Sequence, residues 1–162
     1  MPEEIGITLN VNGRDHRVVV EPRRTLVDVL RDDCHLTGTH IGCEHGVCGS
    51  CTILVDDKPV RSCLMFGVQA EGKKIRTVEG LADGDTLHPL QRAFWENHGL
   101  QCGFCTPGFL MLAAGALQET PDMSDEEIKE VLSSNLCRCT GYQNIIKAVR
   151  LAAVEMRSEA RR

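Results

Sequence analysis

Eight of the chain's nine cysteines fall into two sets of four, and the sets have different spacings. The first, Cys43, Cys48, Cys51 and Cys63, reads C-x4-C-x2-C-x11-C. The second, Cys102, Cys105, Cys137 and Cys139, reads C-x2-C-x31-C-x-C. Four thiolates drawn to one point hold a metal ion or an iron–sulfur cluster. Any fold this chain adopts has to deliver two such points. Two quartets in 162 residues suggest two redox centres in series.

The remaining composition narrows the setting. A 42% hydrophobic content supports a core. Two domains of roughly 80 residues each would still be marginal without a staple such as bound metal. A net charge of −5 leaves no basic footprint for nucleic acid. No apolar run approaches the ~18 residues that span a bilayer. Pro2, Glu3 and Glu4 do not open a secretory signal. A cytoplasmic protein is expected, with any attachment to the membrane's inner face made through partners. Thiols stay reduced there, and the odd count and short spacers also favour metal sites over disulfides. Cys34, at a helix end with no partner at metal spacing, reads as a small hydrophobe in the core.

Local patterns give an α+β chain in two parts. Ile5, Ile7, Leu9 and Val11 alternate with polar residues, as in a half-buried strand. Asn12-Gly13 is a hairpin turn signal, and Val18 and Val20 continue on a second strand. Thr25 can cap a short helix carrying Leu26, Val27, Val29 and Leu30, with Asp28 in its first turn. Strands are expected at 52–55 and 60–65 about the turn Asp56-Asp57, and again at 74–78. This sheet unit covers residues 1–80.

Residues 81–162 read as four helices. Leu87 to Asn97 has helical spacing, with Pro89 in its first turn and Gly99 to end it. Pro107 to Leu117 follows. Ser124 and Glu127 form a capping box for a third helix, and Tyr142 to about Met156 is the fourth. Cys102 and Cys105 fall between the first two helices, Cys137 and Cys139 between the last two. A four-helix bundle holding a cluster where two hairpin tips meet is the expected result. Helix N-termini beside it would offer free N–H groups to sulfur, with Thr106 and Thr140 as natural caps. Phe109 to Leu112 run consecutively apolar, so the second helix is buried on more than one face, against another subunit or the N-terminal unit.

The first quartet matches the plant-type [2Fe–2S] spacing. Gly42, Gly46 and Gly49 are interleaved with it, and a loop wrapping a cluster needs positive φ and unhindered amides. The second quartet alone could pass for a structural zinc site. A Rieske centre would need two histidines on one iron. His40 and His45 lie close by, but with four cysteines available they read as loop residues.

Three segments carry a resemblance: GCEHGVCGSC at 42–51, QCGFCTPG at 101–108 and NLCRCTGY at 135–142. In this order they strongly resemble the small iron–sulfur subunit of the molybdenum hydroxylases, the xanthine oxidase family. Among relatives with separate chains, the sequence is most similar to the small subunits of carbon monoxide dehydrogenase and of N-heterocycle dehydrogenases. The likeness spans about residues 5–157. It implies a β-grasp, plant-type ferredoxin-like domain followed by a four-helix domain, each with one [2Fe–2S] cluster. It implies a large subunit with molybdopterin and a medium subunit with FAD, assembled as a dimer of heterotrimers. Electrons would pass from molybdenum to the cluster of Cys102, Cys105, Cys137 and Cys139. From there they would reach the cluster of Cys43, Cys48, Cys51 and Cys63, then FAD. Gln101 matches a position that contacts the pterin, and an amide both donates and accepts, which suits a pterin edge. Cys34 departs from the family pattern.

Such a chain carries no substrate site of its own. Carbon monoxide, a purine, an N-heterocycle and an aldehyde are all compatible. Two other readings share the cysteines: a free-standing two-cluster ferredoxin or redox sensor, and a zinc-stabilised interaction module.

Overall fold

A computed structural model describes residues 4–160. β1 (Ile5–Val11) and β2 (Arg14–Val20) form the expected hairpin, pairing from Ile5–Val20 to Val11–Arg14. Asn12 and Gly13 both take left-handed backbone (φ 53° and 77°), the turn that matches strand twist. The pleat puts Ile7, Leu9 and Val11 in the core. β3 (Thr52–Val55), β4 (Lys58–Arg61) and β5 (Lys74–Arg76) complete one sheet in the order β2-β1-β5-β3-β4. β1 and β5 run parallel, while the other neighbours are antiparallel.

α1 (Leu26–Asp28) packs on this sheet, capped by Thr25, whose hydroxyl oxygen accepts from the Asp28 N–H at 3.3 Å. Beyond Asp28 the helix widens over Val29–Asp33, and the Cys34 N–H reaches the Val29 carbonyl five residues back. Leu26, Val29 and Leu30 are fully buried, and Cys34 lies in the same core. Burial first, then Asp33, pushes the Cys34 thiol up to about 11.

The sheet differs from expectation after Asp56-Asp57. Both residues are left-handed, giving a tight hairpin. Its second strand is Lys58–Arg61, not 60–65, and residues 62–64 form a single 3-10 turn. The turn takes the chain out of the ladder, so the Ser62 hydroxyl donates to the Cys51 carbonyl at 2.7 Å and Cys63 comes back to the first quartet. Likewise β5 stops at Arg76, short of the expected 78, and a 3-10 turn follows.

Four helices follow: α2 (Pro89–Glu96), α3 (Thr106–Glu119), α4 (Asp125–Ser133) and α5 (Gln143–Ala160). Pro89 opens α2, as its missing N–H allows. His98, not Gly99, takes the left-handed turn at its end (φ 52°), and the Gly99 N–H closes onto the Phe94 carbonyl at 2.8 Å. The Ser124–Glu127 capping box is present on α4. α2 and α5 lie antiparallel, joined by an Arg92–Glu155 ion pair at one end and by Asn144 donating to the His98 carbonyl at the other.

α3 is the central helix, and Phe109 to Leu112 are all buried. The N-terminal sheet covers its second face. A Cβ on Gly115 would lie 2.6 Å from Pro59 and 2.8 Å from Leu54, so helix and sheet meet almost backbone to side chain. Leu54 of β3 belongs to the helical core. Among the described residues no helix is long and apolar enough to cross a membrane.

Candidate iron–sulfur centres

The loop from Gly42 to Cys51 bends around its own cysteines. Gly46 and Gly49 are left-handed (φ 82° and 74°), as expected, and Glu44 joins them at 58°. Gly42 serves a different need: a Cβ there would sit 2.9 Å from the Cys48 sulfur. The Cys48 N–H points at the Cys43 sulfur at 3.4 Å. Cys43 and Cys48 share one thiol contact, and Cys51 and Cys63 share another. Cys51 and Cys63 are buried, at 2% and 6% exposure.

The second quartet forms where the hairpin tips meet. Cys102 lies 3.5 Å from Cys139, sulfur to sulfur, and Cys105 contacts Cys137. The Thr140 N–H and hydroxyl lie 3.4 and 3.1 Å from the Cys137 sulfur. Cys102 and Cys139 are exposed.

Each quartet thus shows two pairs of touching thiols, with the pairs themselves adjacent. Among the described residues no three Cys, His, Asp or Glu side chains converge on a point suited to a single metal ion. Two pairs are the donor set for two irons in one [2Fe–2S] unit. The residues fit the cluster.

Amide and hydroxyl donors tune these sulfurs. The Cys48 N–H leads the groups that draw Cys43 down to about 6. Burial first, then the Cys51 thiol, pushes Cys63 up to about 11. Burial first, then the Cys137 thiol, pushes Cys105 up to about 12. Burial pulls Cys137 upward, but the Thr140 hydroxyl and N–H, with the Cys139 N–H and the Cys105 thiol, outweigh it and leave the thiol below its ordinary value. Donors aimed at sulfur favour the thiolate, the form that binds metal.

The two flanking threonines behave differently. Thr140 caps its turn, accepting from the Tyr142 N–H at 3.2 Å. Thr106 does not cap. It is the first residue of α3, Cys105 holds the cap position, and the buried Thr106 hydroxyl finds no partner among the described residues. His40 and His45 each meet a backbone carbonyl, of Phe104 and Cys43 respectively, and not a second histidine. The His40 ring also stacks on Phe104 at 4.9 Å. Gln101 is exposed beside Cys102.

Sequence reasoning assigned no role to Tyr142, Asn135 or Arg61. The Tyr142 hydroxyl accepts from the Cys137 N–H at 2.9 Å and lies 3.3 Å from the Asn135 carbonyl, bracing the second loop. Arg61 crosses from β4 to the Ser134 carbonyl at 2.8 Å. Asn135 and Tyr142 stand inside the NLCRCTGY segment, so the signal was present without its meaning. A cavity of about 270 Å³ lies between the quartets, lined by Cys48, Cys102, Cys105, Cys139 and Phe104 among others.

Residues 9–82 match the family described as "2Fe-2S iron-sulfur cluster binding domain", and residues 77–150 the family described as "[2Fe-2S] binding domain". The chain is 60% identical over 149 residues to the caffeine dehydrogenase subunit gamma of Pseudomonas sp. (strain CBB1), covering 89% of this chain and 88% of that one. It is 56% identical over 147 residues to the nicotine 6-hydroxylase small subunit of Paenarthrobacter nicotinovorans, covering 91% and 88%. The chain belongs to the small iron–sulfur subunits of the molybdenum hydroxylase (xanthine oxidase) family. This small subunit also superposes on a chain of quinoline 2-oxidoreductase from Pseudomonas putida 86 with a TM-score of 0.91. Identity there is 52%, with 96% of this chain and 97% of that one covered. Two [2Fe–2S] clusters are therefore the small subunit's cofactors.

Proposed function

We propose that this chain passes electrons from a molybdopterin centre in a large subunit to FAD in a medium subunit. When bound, the two clusters supply one-electron storage between a two-electron oxidation and the flavin. Cys43, Cys48, Cys51 and Cys63 hold the flavin-side cluster, and Cys102, Cys105, Cys137 and Cys139 the molybdenum-side one. The observation that carries this reading is the pairing of each quartet two by two, with the Cys102–Cys139 edge open to solvent. An exposed edge is where another chain's cofactor can approach.

Gln101, exposed beside Cys102, is the residue we assign to the pterin. Its amide would donate and accept across the subunit boundary. We divide the chain into a ferredoxin-like domain, 1–80, and a helical domain, 81–162. We place it in the cytoplasm, within a dimer of heterotrimers. The substrate is held by the large subunit. Relatives at 52–60% identity are named for caffeine, nicotine and quinoline, which makes an N-heterocycle the class to test first.

Purification of the natural assembly tests the subunit role. The chain is expected to elute with two larger partners, carrying about four irons and two distinct EPR signals on reduction. Elution alone at its own mass with full redox activity would favour the free ferredoxin, and a zinc-only preparation the interaction module. Gln101→Ala is expected to slow reduction of the clusters by substrate with iron content unchanged. An unaltered reductive half-reaction rejects the pterin contact.

A further inference from the structure

The two ligand loops are joined by a short run of polar groups. The Leu136 N–H donates to the Cys48 carbonyl at 2.9 Å. Cys48 belongs to the first quartet, and Leu136 adjoins Cys137 of the second. One hydrogen bond therefore links the backbones that carry the two centres.

Asn135 stands beside this bond. It is 1% exposed, and its Nδ2 donates to the Gly49 carbonyl at 3.3 Å. A Cβ on Gly49 would fall 1.9 Å from Asn135 Oδ1, so the amide fills the space any side chain at 49 would need. That Oδ1 is buried without a partner among the described residues. Buried acceptors are rarely left so in folded proteins. The Gly49 carbonyl is pinned from its own side by the Thr52 N–H at 3.1 Å and hydroxyl at 2.6 Å. Asn135 adds the pin from the other loop.

We propose that Asn135 is a positioning residue for electron transfer between the two clusters. Wedged against Gly49, it holds the Leu136–Cys48 hydrogen bond in register. The inference rests on the assignment of the quartets as cluster ligands. The step it serves moves one electron: one cluster is oxidised, the other reduced, and no atom or proton changes place. Asn135 acts through Gly49 and Leu136, not through a sulfur.

The test uses the assembled complex carrying Asn135→Leu or Asn135→Ala. Leucine keeps the approximate shape of asparagine but donates no hydrogen bond, and alanine removes the wedge as well. Iron content, both EPR signals and the melting temperature are measured first. The inter-cluster transfer rate after flash reduction follows, with the low-temperature splitting between the two signals. Iron and both signals are expected to stay, while transfer slows several-fold and any wild-type splitting is lost. A purely structural residue would change iron retention or melting and leave transfer in the loaded protein alone. Wild-type transfer rates in the iron-loaded variants overturn the proposal, as does loss of iron in both. A wild-type complex with a single signal sinks the ligand assignment instead.

Discussion

The two quartets bring four thiols together by different routes. In the first, one glycine-bent loop supplies Cys43, Cys48 and Cys51, and a 3-10 turn returns Cys63. In the second, 31 residues separate Cys105 from Cys137, and only the meeting of two helical hairpins brings them together. The first buries Cys51 and Cys63, while the second leaves Cys102 and Cys139 exposed. A centre built locally can be sheltered by its own sheet. A centre built at the tips of a bundle sits at the molecule's edge, where a neighbouring chain can reach it.

The comparison breaks most sharply at a ligand. Cys102→Ser is expected to remove about half the iron and one of the two EPR signals, since four cysteines serve each cluster. If both signals vanish together, the centres form one cooperative unit and do not stand on separate scaffolds.

Two glycines sharpen it at the level of stability. A Cβ on Gly108 would lie 2.3 Å from the Gly49 carbonyl, backbone against backbone between the two centres. Gly108→Ala is expected to cost at the upper end of about 1–3 kcal/mol, as overpacking does. Gly103 has open space but a left-handed backbone (φ 83°). Gly103→Ala is expected to cost only the conformational strain, about 1 kcal/mol. Urea unfolding of both variants gives the order, and a reversed order would mean the seam yields more readily than the tip.

The smallest effect is confined to the helical half. His88 caps α2, its Nδ1 accepting from the Leu90 N–H at 3.2 Å, which requires the neutral ring. Burial first, then Arg76, holds its pKa below the ordinary value. Its contribution is therefore complete above the unfolded pKa near 6.5 and fades as pH falls through the lower folded value. His88→Asn keeps a capping side chain that does not titrate. Its melting temperature is expected to fall less than wild type's on acidification, within the roughly 1 kcal/mol worth of a cap. Parallel curves would remove His88 from the acid response.

Features specified by neighbouring residues were legible in the sequence. The Asn12-Gly13 hairpin, the Thr25 cap and the Ser124–Glu127 box all form as read, because each is completed within a few residues. The short spacers within 43–51, 102–105 and 137–139 marked the cysteines for the same reason, although the meeting of Cys105 with Cys137 is not local. Features that depend on distant partners were not legible. The 60–65 strand ends at Arg61 because the next turn returns Cys63 to Cys51. Gly42 is small because of the Cys48 sulfur, not because of φ. Thr106 looked like a cap but is the first residue of its helix, and Cys105 at the cap position makes no side-chain cap. Asn135 meets Gly49 across 86 positions of sequence, and no local pattern announces such a pair.

Leu54 has a bearing on how the protein is made. It sits on a sheet strand but is buried in the core of the helices. Chains emerge from the ribosome N-terminus first, and early units fold as they appear. When residue 63 has emerged, the first centre has all its sulfurs, yet the face that carries Leu54 and Pro59 still lacks α3. Until the chain has been extended past Leu117, the newborn sheet carries an uncovered greasy flank. Its need for a chaperone should be greatest in that interval, before the second centre exists.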